Sequence, residues 1–241
     1  MAAELRCVTV HIDTGRWRET VLDAVDLAVP AGQITAVLGG PGSGKSMLAR
    51  VLAGQLPTTA RCSGKILIGG ELFEDQHRPY LPEHVGYVPQ DGVAAFDPEK
   101  TVGAQLCALH ERHRAWSVER ACAAAHYPAE ALPLLPRHNS GGQVQRAALA
   151  AALLAAPRVL VADGPTNSLD TGTAYQVWKS LRDYADSGAA VAVISNEVKM
   201  MITHGFADRL VMMHDGRIRS AGSTAQLLDS DPYLQALLRA S

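Results

Sequence analysis

The chemistry of this 241-residue chain is most visible at Gly39-Gly40-Pro41-Gly42-Ser43-Gly44-Lys45-Ser46, which fits G-x-x-x-x-G-K-[ST]. Glycines let a backbone wrap closely around an anion, with successive N–H groups pointing inward at the phosphates. A helix starting at the end of such a loop adds the positive end of its dipole. Lys45 is then placed to reach the outer phosphates, and Ser46 to ligate Mg²⁺. Farther along, Val159-Leu160-Val161-Ala162 runs into Asp163, the pattern of a buried strand that delivers a carboxylate beside the metal. The next residue is Gly164, which can neither accept a proton nor orient a water.

A second anion-binding segment is Asn139-Ser140-Gly141-Gly142-Gln143-Val144-Gln145-Arg146. Ser140 suits the N-cap of a helix beginning near Gly142, whose free N–H groups and dipole favour phosphate. Two phosphate cradles in one chain suggest ATP held between two subunits, the glycine-rich loop of one facing Ser140–Gln143 of the other. The lesser alternative for the segment is a glycine-flanked helix cap.

Positioning these groups calls for an α/β fold with a P-loop NTPase core, a parallel sheet with flanking helices. Alternation in Leu5–Ile12 and Val21–Val29 predicts two N-terminal strands, an antiparallel part preceding the core. The stretch from Gly32 to Gly54 reads as buried strand, glycine-rich turn and helix, and Lys65–Gly70 and His84–Gln90 as short strands. Residues 97–140 are helical in period and poor in strand formers, which suits a helical subdomain within a single cassette spanning 1–241. The rhythm resumes with a helix over Gly142–Ala155, a strand over Val159–Ala162, a helix over Thr173–Ala185 and a strand over Ala190–Ser195. A hairpin turning at Asp215-Gly216 and two short helices complete the chain.

Hydrophobic residues make up 47% and charged residues 19%, so the chain can bury a core and is not disordered. A net charge of −2 without a long basic run argues against nucleic acid as a partner. Cys7, Cys62, Cys107 and Cys122 are scattered without a CxxC pair, so four buried or half-buried thiols are expected rather than a metal site. The first residues lack the charge and apolar run of a signal peptide. Ala147–Ala156 is apolar but too short to span a bilayer, so it reads as a core helix.

Together these residues resemble the nucleotide-binding subunit of ABC transporters, over nearly the whole chain. The P-loop is Gly39–Ser46, the Q-loop glutamine is Gln90 in Tyr-Val-Pro-Gln-Asp, the signature is Asn139–Gln143, and the D-loop is Ser168-Leu169-Asp170. The resemblance narrows further: the segment from Gln90 to Leu106 is similar to its counterpart in peptide, nickel and opine importers, as is the Pro-Tyr ending at residues 232–233. It implies ATP and Mg²⁺ as cofactors, with Ser46, Gln90 and Asp163 around the metal. It implies a second ATP-binding subunit, two membrane permeases and, indirectly, an extracellular substrate-binding protein as partners. The place implied is the cytoplasmic face of the membrane. No Cys-rich tail is present, so no iron–sulfur cluster is expected. A soluble regulator and an exporter subunit are the alternatives.

Three positions depart from the family. Gly164 replaces the glutamate that follows the metal-binding aspartate, and loss of such a base costs about 10²- to 10⁴-fold in rate. Asn196 falls where the switch histidine is expected; it can hydrogen-bond a γ-phosphate but cannot carry imidazole charge. His204, in Ile-Thr-His-Gly, is the other candidate, although it follows a helical segment rather than the strand. Ile12 takes the place of the aromatic that stacks on adenine, with Trp17 either its substitute or an ordinary exposed side chain. All three departures would line the site built on this chain's own P-loop, whereas Ser140–Gln143 and the D-loop, lent to a partner, are intact. That asymmetry implies the degenerate half of a heterodimeric ATPase pair.

Overall fold

The computed structural model of the chain describes residues 1–73, 84–167, 169–195, 197–231 and 234–235. β1 (Ala3–Asp13) and β2 (Arg18–Val29) pair antiparallel and largely alternate buried with exposed residues, because one face of their sheet meets a core. β3 (Ile34–Gly39) is buried up to Leu38 and leads through the glycine-rich loop into α1 (Lys45–Ala53). β4 (Ala60–Ile68) and β5 (Glu71–Phe73) form a hairpin beside β1, giving the antiparallel order β2-β1-β4-β5. β6 (Val85–Val88) is followed by α2 (Val102–His113), α3 (Val118–Ala124) and α4 (Gly141–Leu153). Then come β7 (Val159–Asp163), α5 (Thr171–Asp186), β8 (Ala190–Ile194) and α6 (Val198–Thr203). β9 (Arg209–His214), β10 (Arg217–Ser223) and α7 (Thr224–Ser230) follow.

The second sheet has the order β10-β9-β3-β8-β7-β6, parallel except for β10. Its central strands β3, β8 and β7 are apolar on both faces because helices cover one side and α1 with the antiparallel sheet the other. Alternation splits β3 between the two cores: Ile34, Ala36 and Leu38 join Trp178, while Val37 joins Leu48 and Val51. Arg182 on α5 pins the start of β3, pairing with Asp208 at 2.6 Å and donating to Gly32 O at 3.0 Å, while Asp208 accepts from Ile34 N at 2.7 Å.

The expected elements are found with their types, with shifts at the ends, and β5 is an added strand that the sequence reading did not include. β4 begins at Ala60, well before Lys65, because pairing with β1 extends it. α4 starts at Gly141, and its apolar run is core up to Leu154. One of the two expected C-terminal helices is α7; most of the other, with the Pro-Tyr pair at 232–233, lies outside the described residues. The expectation of buried thiols fails for Cys7 and Cys107, which are exposed. Cys7 stands where the pairing of β1 slips register, at φ +48°, which turns its side chain off the core face. Among the described residues no helix is long and apolar enough to cross a membrane.

Candidate functional site

In open α/β sheets, ligands bind beyond the carboxyl ends of the strands. Here the neighbours β3, β8, β7 and β6 end at one edge, delivering the glycine-rich loop, Ser195, Asp163 and Gln90 respectively. The loop curls around its own lysine: Lys45 Nζ donates to Gly39 O at 2.8 Å and to Gly40 O at 2.7 Å. Gly44 has φ +95°, and a Cβ there would stand 2.8 Å from Val21 O, so glycine is required by conformation and by β2. The β9–β10 turn braces the loop from the other side, Gly216 N donating to Ser43 O at 3.1 Å and Gly216 O accepting from Asp23 N at 2.9 Å. Between these walls lies an open cleft of about 330 Å³ lined by Val21, Gly42, Lys45, Ser46, Met47 and Arg50.

α1 crosses beneath β8 to reach β7, which brings Ser46 Oγ to 3.4 Å from Asp163 Oδ1. Asp163 is 4% exposed, and burial pushes its carboxyl above the usual range, partly offset by Ser46, Arg50 and Lys45. Burial likewise lowers Lys45, partly offset by Asp163. Among the described residues no ion pair joins these two charges. The hydroxyl of Ser46 and the carboxylate of Asp163 are hard oxygen donors of the kind Mg²⁺ takes, and they fit that ion. The sequence reading missed Tyr87 and Arg50, which face Asp163. Tyr87 pairs with Val161 on β7, a register that only strand order reveals.

Ser140 caps α4 with a reciprocal pair of bonds: Gln143 N donates to Ser140 Oγ at 3.2 Å, and Ser140 N to Gln143 Oε1 at 2.8 Å. A Cβ on Gly142 would lie 3.1 Å from Leu169 Cδ2, so Ser140–Gln143 and the loop of Leu169 and Asp170 share one patch. Asn139 anchors that patch, accepting from Tyr127 Oη at 2.9 Å and donating to Leu135 O at 3.0 Å. Gln145 Nε2 reaches Pro89 O at 2.9 Å, linking α4 to the residue before Gln90. Among the described residues no hydrogen bond joins Ser140–Gln143 to Gly39–Ser46, so the two cradles are separate in this chain.

A family model described as ABC transporter matches residues 22–167, more than half of the chain, including both cradles and Asp163. The chain is also 30% identical over 230 residues to the metal-staphylopine import system ATP-binding protein CntD of Staphylococcus aureus, covering 89% of this chain and 84% of that protein. This chain belongs to the ABC transporter ATP-binding family. Against the Fe(3+) ions import ATP-binding protein FbpC of Serratia marcescens, the cassette is 34% identical over 223 residues, covering 86% of this chain and 60% of that one. Its fold matches the dimeric ATP-binding cassette MJ0796 bound to ADP and Pi at TM-score 0.76 and 24% identity, covering 92% of this chain and 98% of that one. A bacterial Atm1-family ABC exporter with ATP bound matches at TM-score 0.79 and 23% identity, covering 99% and 41%.

Gly164 is left-handed at φ +57°, its N–H bonded to Ile194 O at 2.8 Å. Asn196 and Ser168 lie outside the described residues. Gln90 follows the end of β6 and is exposed. Ile12 is half-buried against the antiparallel core, and Trp17, 54% exposed, sits in the β1–β2 turn. His204 caps α6 and is exposed, its ring 5.0 Å from that of Tyr175 and 5.7 Å from that of Phe206.

Proposed function

We propose that this chain is the ATP-binding subunit of an importer for metal chelates, of the peptide/nickel/opine type, and the catalytically degenerate member of a heterodimeric pair. The observation that carries the second part is Gly164: no carboxylate follows Asp163, and the left-handed backbone there does not favour one. The similarity to a metal-staphylopine import protein and to an Fe(3+) ions import protein supports a metal-containing cargo.

In this reading the N–H groups of Gly40–Ser46 and the Lys45 ammonium hold the β- and γ-phosphates. Ser46, Asp163 and Gln90 hold Mg²⁺, which when bound neutralises phosphate charge. Asn196 adds a neutral hydrogen bond in place of an imidazole. With no base at 164, the water is not deprotonated, and bound ATP acts chiefly to keep the dimer closed. Turnover belongs to the partner's P-loop, completed by Ser140, Gly141, Gly142 and Gln143 of this chain, where α4 presents its N-terminus to the γ-phosphate.

Residues 97–140 act as the helical subdomain of a single cassette spanning 1–241. A groove of about 630 Å³ between α1 and β6 on one side and α2 and α4 on the other suits a permease segment, with Arg50, Tyr87, Arg112 and Ala148 in its walls. In this reading the chain works at the cytoplasmic face of the membrane, beneath two permeases served by an extracellular binding protein.

The test is to purify this chain alone and with the proposed partner cassette, and to measure Mg-dependent ATPase. Little activity alone, strong activity together and loss on Ser140→Arg in this chain are expected. Full activity of the isolated chain would sink the division of labour.

A further inference from the structure

Gly164 and Asn167 are the ends of one tight turn, in which Asn167 N donates to Gly164 O at 3.2 Å. A Cβ built on Gly164 would start 2.4 Å from Asn167 Nδ2 and 3.0 Å from its Cγ. The carboxamide of Asn167 therefore fills the space into which any side chain at 164 would leave the backbone. The other groups of this turn are committed: Gly164 N–H to Ile194 O, and the Thr166 hydroxyl to Glu197. Asp163, Pro165 and Thr166 are buried, whereas Asn167 is exposed, and no described residue accepts a hydrogen bond from its amide.

We propose that Asn167 is a positioning residue at the γ-phosphate end of this cassette's own ATP site, standing where the missing carboxylate would act. This rests on the degenerate-site reading above. A carboxamide presents one acceptor and two donors but no basic site at neutral pH. It can hold a water or a γ-phosphate oxygen, yet it leaves the proton on the water. The site then retains ATP and hydrolyses it slowly.

The experiment uses the full chain in excess over γ-labelled ATP with Mg²⁺, so that single-turnover hydrolysis reports its own P-loop. ATP affinity, ATP dissociation rate and melting temperature are measured alongside. Asn167→Asp supplies a carboxylate that takes the water proton as the water oxygen bonds to the γ-phosphorus and the bridging P–O bond breaks towards ADP. It is expected to raise hydrolysis at least about tenfold. Asn167→Ala is expected to speed ATP dissociation about three- to tenfold with an unchanged melting temperature, the loss of one or two hydrogen bonds. Slow wild-type hydrolysis with no gain in N167D, or unchanged ATP dissociation in N167A, overturns the role of Asn167 alone. Fast hydrolysis by the wild-type chain overturns the degenerate-site reading itself, and with it the non-basic role.

Discussion

The hydroxyl of Thr166 donates a 2.5 Å hydrogen bond to Glu197 Oε2, and the indole Nε1 of Trp178 donates to the same oxygen at 3.0 Å. One carboxylate thereby ties the loop after β7 to the loop after β8 and to α5. Thr166 is 1% exposed and Trp178 is fully buried, so neither donor has water to turn to.

Removing the acceptor strands both donors. Glu197→Ala is expected to destabilise the chain by about 2–4 kcal/mol, since each unsatisfied buried group costs about 1–3 kcal/mol. For a domain of this size that is a fall in Tm of roughly 5–15 °C. Glu197→Gln, which keeps an acceptor oxygen, recovers most of it. Equal melting of the wild type and E197A would contradict the arrangement.

A side chain at 164 meets two separate costs: a left-handed backbone and the Asn167 amide. Gly164→Ala alone is expected to destabilise by about 1–3 kcal/mol. Adding Asn167→Ala removes the steric part but leaves the backbone part, so the pair should be less than additive by about 0.5–1.5 kcal/mol. Denaturant unfolding of the four proteins measures that coupling, and simple additivity would show that the two residues do not collide.

Lys45→Ala removes the ammonium that the loop already wraps. A charge-assisted bond is worth about 1.5–3 kcal/mol, which predicts a loss of ATP affinity of about ten- to hundredfold or more. Titration with a fluorescent ATP analogue reads this directly. Retained affinity would place nucleotide elsewhere.

The thiols should separate by reactivity. Burial pushes Cys62 and Cys122 up to about 11, so at pH 8 the reactive thiolate is scarce in both. Their reactivity is expected to rise as pH approaches that value, because the thiolate fraction grows about tenfold with each pH unit below it. Exposed Cys7 and Cys107 are expected to react first with iodoacetamide at pH 8, as peptide mass mapping would show. Early labelling of Cys122 would contradict its burial.

The P-loop was legible because its contacts are local: Lys45 bonds the carbonyls of Gly39 and Gly40, six and five residues away. The capping box of Ser140 and Gln143 is equally local. The apolar runs of β3, β7 and β8 were legible as strands because burial on both faces demands them. Arg50, Tyr87 and the clamping role of Gly216 were missed because nothing in their surroundings along the chain marks them. Each acts on a residue brought near by folding: Tyr87 on Asp163 and Gly216 on Ser43.

By itself the sequence determined the types of most elements, the glycine-rich loop Gly39–Ser46, the Ser140 cap and the glycine that follows Asp163. These depend on residue identity and short spacing, which the chain carries in one dimension. Only the tertiary structure decided that β8 lies between β3 and β7, that Ser46 meets Asp163, and that β2 and the β9–β10 turn clamp the P-loop. It also decided which side chain fills the space over Gly164. Strand order and the direction of a side chain come from how two cores pack on a shared sheet, and that is a property of contacts distant in sequence.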